Sequence, residues 1–548
     1  MFKFYYLLPP VFAWAFFRPD WGRRIFSRIS RKLDRLAQRT ARAVLLVGLL
    51  SLVINAGLTL LVRVPPPQTH DEFGYLLIAD TFLHGRLTNP PHPLWPHFES
   101  IHIIQQPTYA AKYPPAQGLA LAIGQLITGH FIAGVWLGTA LACAATCWML
   151  YGWLPRRWAF LGGLLVTIHP LVLTWGQTYW GGAVAMAGGA LMAGASRRFV
   201  DSREPRDAYL MGLGMAVLAN SRPYEGFVFS LLVIIVLAAW SYRRDRQAAF
   251  ATFKKVTLPL AMAGTLLSLQ LGYYNYRVTG SPLRMPYVVH EDTYGVAPLF
   301  LWQKPKPEPL YRHKAIRDLQ VGSYLSYFSH QQSLHGFLTA TAGKLTQLAK
   351  GYFWSFIMVV PLLGLSWAVK YGKETRLALG IGSLFTVGML VGTWVFPHYA
   401  APAMGLFLVV ILQSMRQVRL WKWHGRRVGL ALMRGILILC VGSIGMVGYN
   451  LDKKDEGRWD FQRARILHEL ESTPGKHLVI VRYSSTHNPH REWVYNGADL
   501  DGSKVVWARD MGPEENNKLL SYFHGRKVWL LQPDIAPAQV EDYTLNSL

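Results

Sequence analysis

Residues 41–62 read ARAVLLVGLLSLVINAGLTLLV, and residues 63–75 continue RVPPPQTHDEFGY. The first string is apolar over about the ~20 residues that an α-helix needs to cross a hydrocarbon core. The second places Pro65-Pro66-Pro67 behind it, where a helix cannot continue. It then sets an acidic pair, Asp71-Glu72, at the head of a new apolar stretch that runs to about His84. Thr69 and Glu72 have the spacing of a capping box, and Asp71 falls in the first turn, where a carboxylate complements the helix dipole. A membrane span thus hands over directly to a helix that begins on a carboxylate pair.

The same kind of run recurs along the chain. Ten further candidates lie at roughly 130–153, 158–175, 181–196, 208–220, 225–241, 256–275, 352–369, 377–396, 401–415 and 429–449. Composition agrees: 51% of residues are hydrophobic and 16% charged, where a soluble domain carries about 25% charge. The 20 Trp and 26 Tyr suit a protein with two lipid–water interfaces. A soluble enzyme, a disordered chain and a disulfide scaffold are excluded. The cysteines, Cys143, Cys147 and Cys440, all sit inside apolar runs, so no structural disulfide and no CxxC metal site is expected.

Charge gives the runs a direction. The net charge is +25, and residues 450–548 carry −2, which leaves +27 on the first 449. Nine Lys and Arg lie between Arg18 and Arg42, which places the N-terminus in the cytoplasm. With eleven spans, the turns at Arg156-Arg157, Arg197–Arg206, Arg243–Lys255, Lys370–Arg376 and Arg416–Arg427 fall on that same side, and all are basic. Such charge, scattered through short turns, answers to membrane topology, so no nucleic-acid partner is expected. The expected layout is a basic cytoplasmic or interfacial segment over 1–40 and a transmembrane domain over 41–449. That domain has long outer loops at 64–129 and 276–351. A small α/β domain over 450–548 lies outside, and a bacterial inner membrane is the expected location. In the last domain, Arg458–Leu470 and Met511–Phe523 read as helices. His477–Tyr483, Lys504–Arg509 and Lys527–Leu531 read as strands.

Polar groups collect at the predicted outer ends. Lys112-Tyr113-Pro114-Pro115 opens the apolar stretch 116–128, which is short for a span and is read as a helix lying along the membrane. Lys112 would then sit at headgroup depth, either snorkelling or holding a lipid-linked phosphate. Arg222 and Glu225 fall in a tight outer turn, where charges need partners; they form a mutual ion pair or a phosphate fork. His398-Tyr399 lies in another such turn, and His290-Glu291-Asp292 in the second long loop is a candidate metal-ligating set, although adjacent residues do not share a helix face. The loop Ser484–His490 is polar and follows a strand.

These residues resemble the GT-C superfamily of integral-membrane glycosyltransferases. The nearest branch in pattern holds the protein O-mannosyltransferases and the lipid A aminoarabinose transferase. The resemblance rests on Asp71-Glu72 with Tyr75, on Lys112-Tyr113-Pro114-Pro115 and on the basic turn Leu154-Pro155-Arg156-Arg157, in that order over about the first 240 residues. It implies an outward-facing transferase with a polyprenyl-phosphate sugar donor, membrane lipids as surroundings, and a glycan, lipid or protein acceptor. By this resemblance Asp71 and Glu72 are the catalytic candidates. Lys112, Arg222, His398 and Tyr399 are the donor-phosphate candidates, and Tyr75, Gln177, Tyr179, Glu225 and His290 the substrate-binding candidates. Many relatives carry a second Asp at the outer end of the third or fourth span. Here Thr174–Gly182 contains no acid, and Gln177 or Glu225 stands in the neighbourhood. No cofactor is required by the chemistry, and a divalent metal is left open. The competing readings are a non-catalytic transporter or scaffold for lipid-linked glycans, and a polyprenyl-dependent enzyme of other chemistry.

Overall fold

The computed structural model describes residues 4–244, 246–354, 357–452 and 457–543. It is mainly helical, with a two-stranded and a four-stranded sheet among the described residues. Among the described residues, six helices are long and apolar enough to cross a membrane: Thr40–Leu61, Phe131–Trp153, Pro223–Arg243, Lys255–Thr279, Pro397–Val418 and Val428–Leu451. A seventh span arises if Leu334–Tyr352 and Ile357–Tyr371 are counted together. The chain is a multi-pass membrane protein.

The other runs expected to span are helical but miss that test. The run at 158–175 breaks into Arg156–Thr167 and Pro170–Trp175, because Pro170 has no N–H and the ring of His169 caps Leu171 N–H instead. Those at 181–196, 208–220 and 377–396 become Gly182–Ser202, Pro205–Ala219 and Lys373–Leu390. They are short, or built of small residues that let helices approach closely. A Cβ on Gly189 would lie 2.1 Å from the carbonyl oxygen of Pro402. Glycine there allows the Gly182–Ser202 helix to press on the turn that carries His398.

Polar contacts sort the two ends of the bundle. At one end the basic helix Arg23–Ala37 is tied to the Arg156-Arg157 turn by Arg157 Nε to Asp34 Oδ1 (3.1 Å), and Arg434 donates to the carbonyl of Trp21 (2.9 Å). At the other end the first long loop folds into His70–Leu83, a two-stranded hairpin (Ile103–Ile104 with Ala110–Ala111) and Ala116–Thr128.

The C-terminal segment covers this second end. Its sheet has the order Val505–Arg509, His477–Val481, Lys527–Leu531, Val540–Asp542; the first three strands are parallel and the last antiparallel. The helices observed are Trp459–Ser472 and Pro513–Tyr522. The elements read from the sequence stand within a few residues, and Val540–Asp542 is added. Alternate residues face opposite sides of a strand. Val479, Val481, Val505 and Trp507 accordingly pack with Ile466 and Leu470 of the Trp459–Ser472 helix. Leu478, Ile480, Val506 and Ala508 join a core with Phe73, Leu77 and Ile78 of the first loop. Phe73 stacks on Tyr495 at 4.1 Å. Polar ties add register: Ala498 N–H to Asp80 (2.6 Å), Tyr109 Oη–H to the Asn496 carbonyl (3.1 Å) and Arg509 Nε–H to the Glu99 carbonyl (2.7 Å).

Candidate active site

The two carboxylates of the acidic pair point to different tasks. The capping box is present, and Glu72 is turned into it. Its Oε2 accepts from the N–H groups of Gln68 (2.6 Å) and Thr69 (3.0 Å), and its Oε1 from that of Tyr179 (2.9 Å). Adjacent residues do not share a helix face, so Asp71 looks the other way. Its Oδ1 lies 3.0 Å from His102 Nδ1 and accepts a short hydrogen bond from the Tyr113 hydroxyl. His102 Nδ1 is also 2.6 Å from that hydroxyl oxygen, so one imidazole N–H is shared between two oxygens. His102 has a φ of 65°, in the left-handed region that non-glycine residues avoid. The pairing of its carbonyl with Lys112 N–H (3.1 Å) holds it there. Strain of this kind costs about 1–3 kcal/mol and clusters at functional sites. Burial works to raise the Asp71 pKa, but the hydrogen bonds and charge of His102 and Tyr113 hold it well below the usual carboxylate range.

Around this carboxylate lies a row of imidazoles. His70 is 5.7 Å from His102 between ring centres, and His102 is 5.7 Å from His290. His490, from the C-terminal segment, stacks on His70 at 6.1 Å, and Tyr495 Oη lies 2.8 Å from His70 Nδ1. Burial, with the Lys112 charge, lowers His290 to about 3. Lys112 Nζ is buried, 3.1 Å from Glu291 Oε1 and 4.6 Å above the Tyr287 ring. Burial favours a neutral Glu291, but Lys112 and then His290 outweigh it and keep the group ionised. The tripeptide His290-Glu291-Asp292 therefore divides. Glu291 serves Lys112, and Asp292 faces Arg284 (2.8 Å) and Lys306 (2.7 Å) near the surface. Among the described residues no group of three or more His, Cys, Asp or Glu side chains is placed to hold a metal ion.

A second set closes the site from the bundle. The Arg222 guanidinium lies 4.5 Å over the Tyr399 ring, and its Nε is buried without a hydrogen-bond partner among the described residues. His398 packs against Trp180 (4.5 Å) and Tyr399 (4.8 Å), and its Nε2 is likewise buried and unpartnered. Both groups act electrostatically on Asp71. Glu225 is buried within electrostatic range of Arg222, yet no ion pair within 4.0 Å joins them among the described residues. Tyr75 stacks on Tyr113 at 4.8 Å and so backs the Asp71 cluster.

Gln177, Tyr179 and Glu72 lie outside this convergence. The Gln177 carboxamide accepts from Thr59 Oγ1 (2.7 Å) and donates to the Asn55 carbonyl (2.9 Å), which locks the turn to the first span. Tyr179 donates its hydroxyl to the Pro65 carbonyl (3.2 Å). His102, His70, Glu291, Tyr287 and His490 were not singled out from the sequence as members of the site. For Glu291 the flagged tripeptide was the signal. His102 stands in no motif, and only folding brings it to Asp71.

Glu72 carries a stability prediction. Burial pushes its pKa up to about 7, against the pull of three backbone N–H donors. A carboxyl raised in the folded state binds its proton more tightly than in the unfolded chain. Its contribution is then full below the unfolded value of about 4.5 and declines as pH rises towards 7. Thermal unfolding of Glu72→Gln should lack that part of the pH dependence and keep the Asp71 chemistry. An unchanged profile would locate the titration elsewhere.

No family model matches the sequence, and no curated protein matches it. In structure the chain is similar to the oligosaccharyltransferase of Archaeoglobus fulgidus in its apo form, with 10% identity over 90% of this chain and 69% of that one and a TM-score of 0.48. It is also similar to ArnT from Cupriavidus metallidurans. The apo state gives 12% identity over 90% and 93% of the two chains at a TM-score of 0.49. The form bound to undecaprenyl phosphate gives 12% over 90% and 92% at 0.47.

Proposed function

We propose that the chain moves a sugar from a polyprenyl-phosphate carrier to an acceptor hydroxyl at the outer face of a bacterial inner membrane, with inversion at the anomeric carbon. The observation that carries this reading is the meeting of an ionised, partly buried Asp71 with two buried nitrogens that lack partners among the described residues, Arg222 Nε and His398 Nε2. Unsatisfied buried polar atoms are costly, and a structure retains them where a ligand completes them. In the reaction the acceptor oxygen attacks the anomeric carbon, its proton passes to Asp71, and the bond from that carbon to the phosphate oxygen breaks. A carboxylate held this far down is a weak base, so the proton moves only as that bond gives way. Arg222 and His398 take up the charge on the leaving phosphate, with Tyr399 supporting the guanidinium and Lys112 adding positive field from beside Glu291.

On this reading Glu225 orients Arg222, and Tyr75 and His290 wall the site. Glu72, Gln177 and Tyr179 are scaffold, a change from their expected roles. Eleven crossings, a cytoplasmic N-terminus, a periplasmic domain over 450–548 and a glycan, lipid or protein acceptor belong to the same proposal.

The phosphate assignment is tested by Arg222→Gln. Loss of one preorganised donor to a developing charge costs about 10²–10³ in rate. We expect kcat to fall in that range while the thermal transition stays in place, with partial recovery in Arg222→Lys. Equal rates in wild type and Arg222→Gln would remove Arg222 from the site.

A further inference from the structure

The second long loop and the C-terminal segment enclose a cleft of about 450 Å³ apart from the Asp71 cluster. That volume falls within the range of roughly 300–1,000 Å³ usual for small-molecule sites. Arg312 and Lys314 line it from the loop, and Arg482, Ser484, His487 and Arg509 from the other side. It lies beyond the carboxyl ends of two neighbouring parallel strands. The chain runs from the central strand His477–Val481 to Val505–Arg509 on one side. It then passes through the Pro513–Tyr522 helix to Lys527–Leu531 on the other. Val481 and Arg509, at the carboxyl ends of neighbouring strands, both line the cleft.

The charges of the lining favour an anion. Four cationic side chains, Arg312, Lys314, Arg482 and Arg509, face two acids, Asp318 and Asp510. Three of the four have close carboxylate partners: Lys314 with Asp318, Arg482 with Asp510 and Arg509 with Glu492. Arg312 is held more loosely. Its guanidinium lies over the Trp95 ring at 4.5 Å, its nearest carboxylate contact is Glu99 at 3.6 Å, and its side chain is 50% exposed. A guanidinium has five N–H donors, so capacity remains for another acceptor.

His487 supplies the independent sign of a ligand. Its side chain is 4% exposed, its Nδ1 is 2.7 Å from Asp534 Oδ1, and its ring stacks on Tyr483 at 3.9 Å. With orientation fixed on both sides, its Nε2 is buried and has no partner among the described residues. Asp534 also accepts from Ser484 N–H (2.8 Å), so the carboxylate sets the strand end and the imidazole together. A carboxylate-backed imidazole in the wall of a basic cleft, with its second nitrogen uncommitted, is suited to an oxyanion.

We propose that this cleft binds a phosphate or carboxylate group borne by the acceptor saccharide, with Arg312 and His487 as principal contacts. The identification of that anion with the acceptor rests on the transferase reading above; anion binding itself does not. Glu99 joins the cleft to the reaction site: it meets Arg312 and His313 (3.3 Å) and accepts from the Tyr294 hydroxyl (2.9 Å), while the Tyr294 ring lies 5.2 Å from His290. An acceptor anchored by its anion in the cleft is thus separated by Glu99 and Tyr294 from the imidazole row beside Asp71. Because the cleft is formed wholly by segments outside the membrane-spanning helices, a glycan is favoured over a lipid headgroup.

The test is equilibrium binding to the full chain in zwitterionic lipid nanodiscs, using inorganic phosphate, glucose 6-phosphate, glucuronate and neutral glucose as probes. We expect saturable binding of the three anions and none of glucose. Arg312→Ala, at a half-exposed position that folding tolerates, and His487→Gln should each weaken it about tenfold, as loss of a charge-assisted contact does. Lys112→Met should leave it unchanged. Absence of saturable anion binding, or binding lost in Lys112→Met and kept in both cleft variants, overturns the proposal. Displacement of the probes by anionic phosphatidylglycerol in the nanodisc overturns the assignment to the acceptor. Since binding is read without turnover, failure of sugar transfer would leave this result standing, and failure here would leave the transfer site intact.

Discussion

Asp71→Asn should lower the rate of sugar transfer by about 10²–10⁴, the usual range for a positioned general base, and leave donor binding near that of the wild type. The amide matches the carboxylate in size and can still accept from Tyr113 and His102, which meet Asp71 through its Oδ1. It has no charge to take the acceptor proton. Because His102 and Tyr113 hold the carboxylate ionised far below neutrality, the acid limb of the wild-type rate profile should not come from Asp71. A limb in the range of about 4–5, lost in the variant, would contradict that electrostatic picture. Single-turnover transfer, with retained binding of polyprenyl phosphate as the folding control, measures the effect. A variant that binds donor and transfers at the wild-type rate would remove Asp71 from the chemistry.

Glu492→Ala should produce the largest loss of stability. Glu492 is fully buried. It pairs with Arg509 through Oε2, and its Oε1 accepts from Tyr483 Oη (2.5 Å) and Val494 N–H (2.8 Å). Removing one member of a buried pair leaves the other charge uncompensated and costs about 3–5 kcal/mol. Arg509 also donates to the Glu99 carbonyl, and its own carbonyl lies 3.0 Å from His97 Nδ1. The damage should therefore reach the contact between the C-terminal segment and the first outer loop. Limited proteolysis and thermal unfolding of the full chain read this directly, with earlier cleavage after residue 450 as the expected result. An unshifted transition would mean that the pair contributes little beyond its own desolvation.

The sequence made the helical class legible through runs near 20 residues and basic turns, both of which follow from the bilayer as solvent. It was less informative where small residues carry the packing. Gly182–Ser202 reads as a short run because alanine and glycine add little hydropathy, yet the helix is longer than its apolar run. In the site, Asp71 was legible because it begins a helix directly after a span. The direction of its neighbour Glu72 was not, since a capping box and a catalytic pair look alike in one dimension. Lys112 was found and its partner was not, because Glu291 lies 179 positions away. His102 is 31 positions from Asp71 and in no pattern, and Tyr495 is 425 from His70. The last pairing depends on how the C-terminal segment sits on the first loop, and the others on how the outer loops fold, which local periodicity does not encode.

The measurement that bears most directly on the central claim is product analysis. The purified full chain in lipid is incubated with a panel of polyprenyl-phosphate sugars and candidate acceptor glycans, lipids and peptides. Free polyprenyl phosphate is quantified by mass spectrometry and the anomeric configuration of the product by nuclear magnetic resonance. The account predicts one polyprenyl phosphate released per sugar transferred, with inverted configuration, and loss of both in Asp71→Asn. Transfer with retained configuration would contradict the direct displacement drawn here. Tight binding of polyprenyl phosphate sugars with no release in the presence of any acceptor would contradict the transferase reading and favour a carrier or scaffold for lipid-linked glycans.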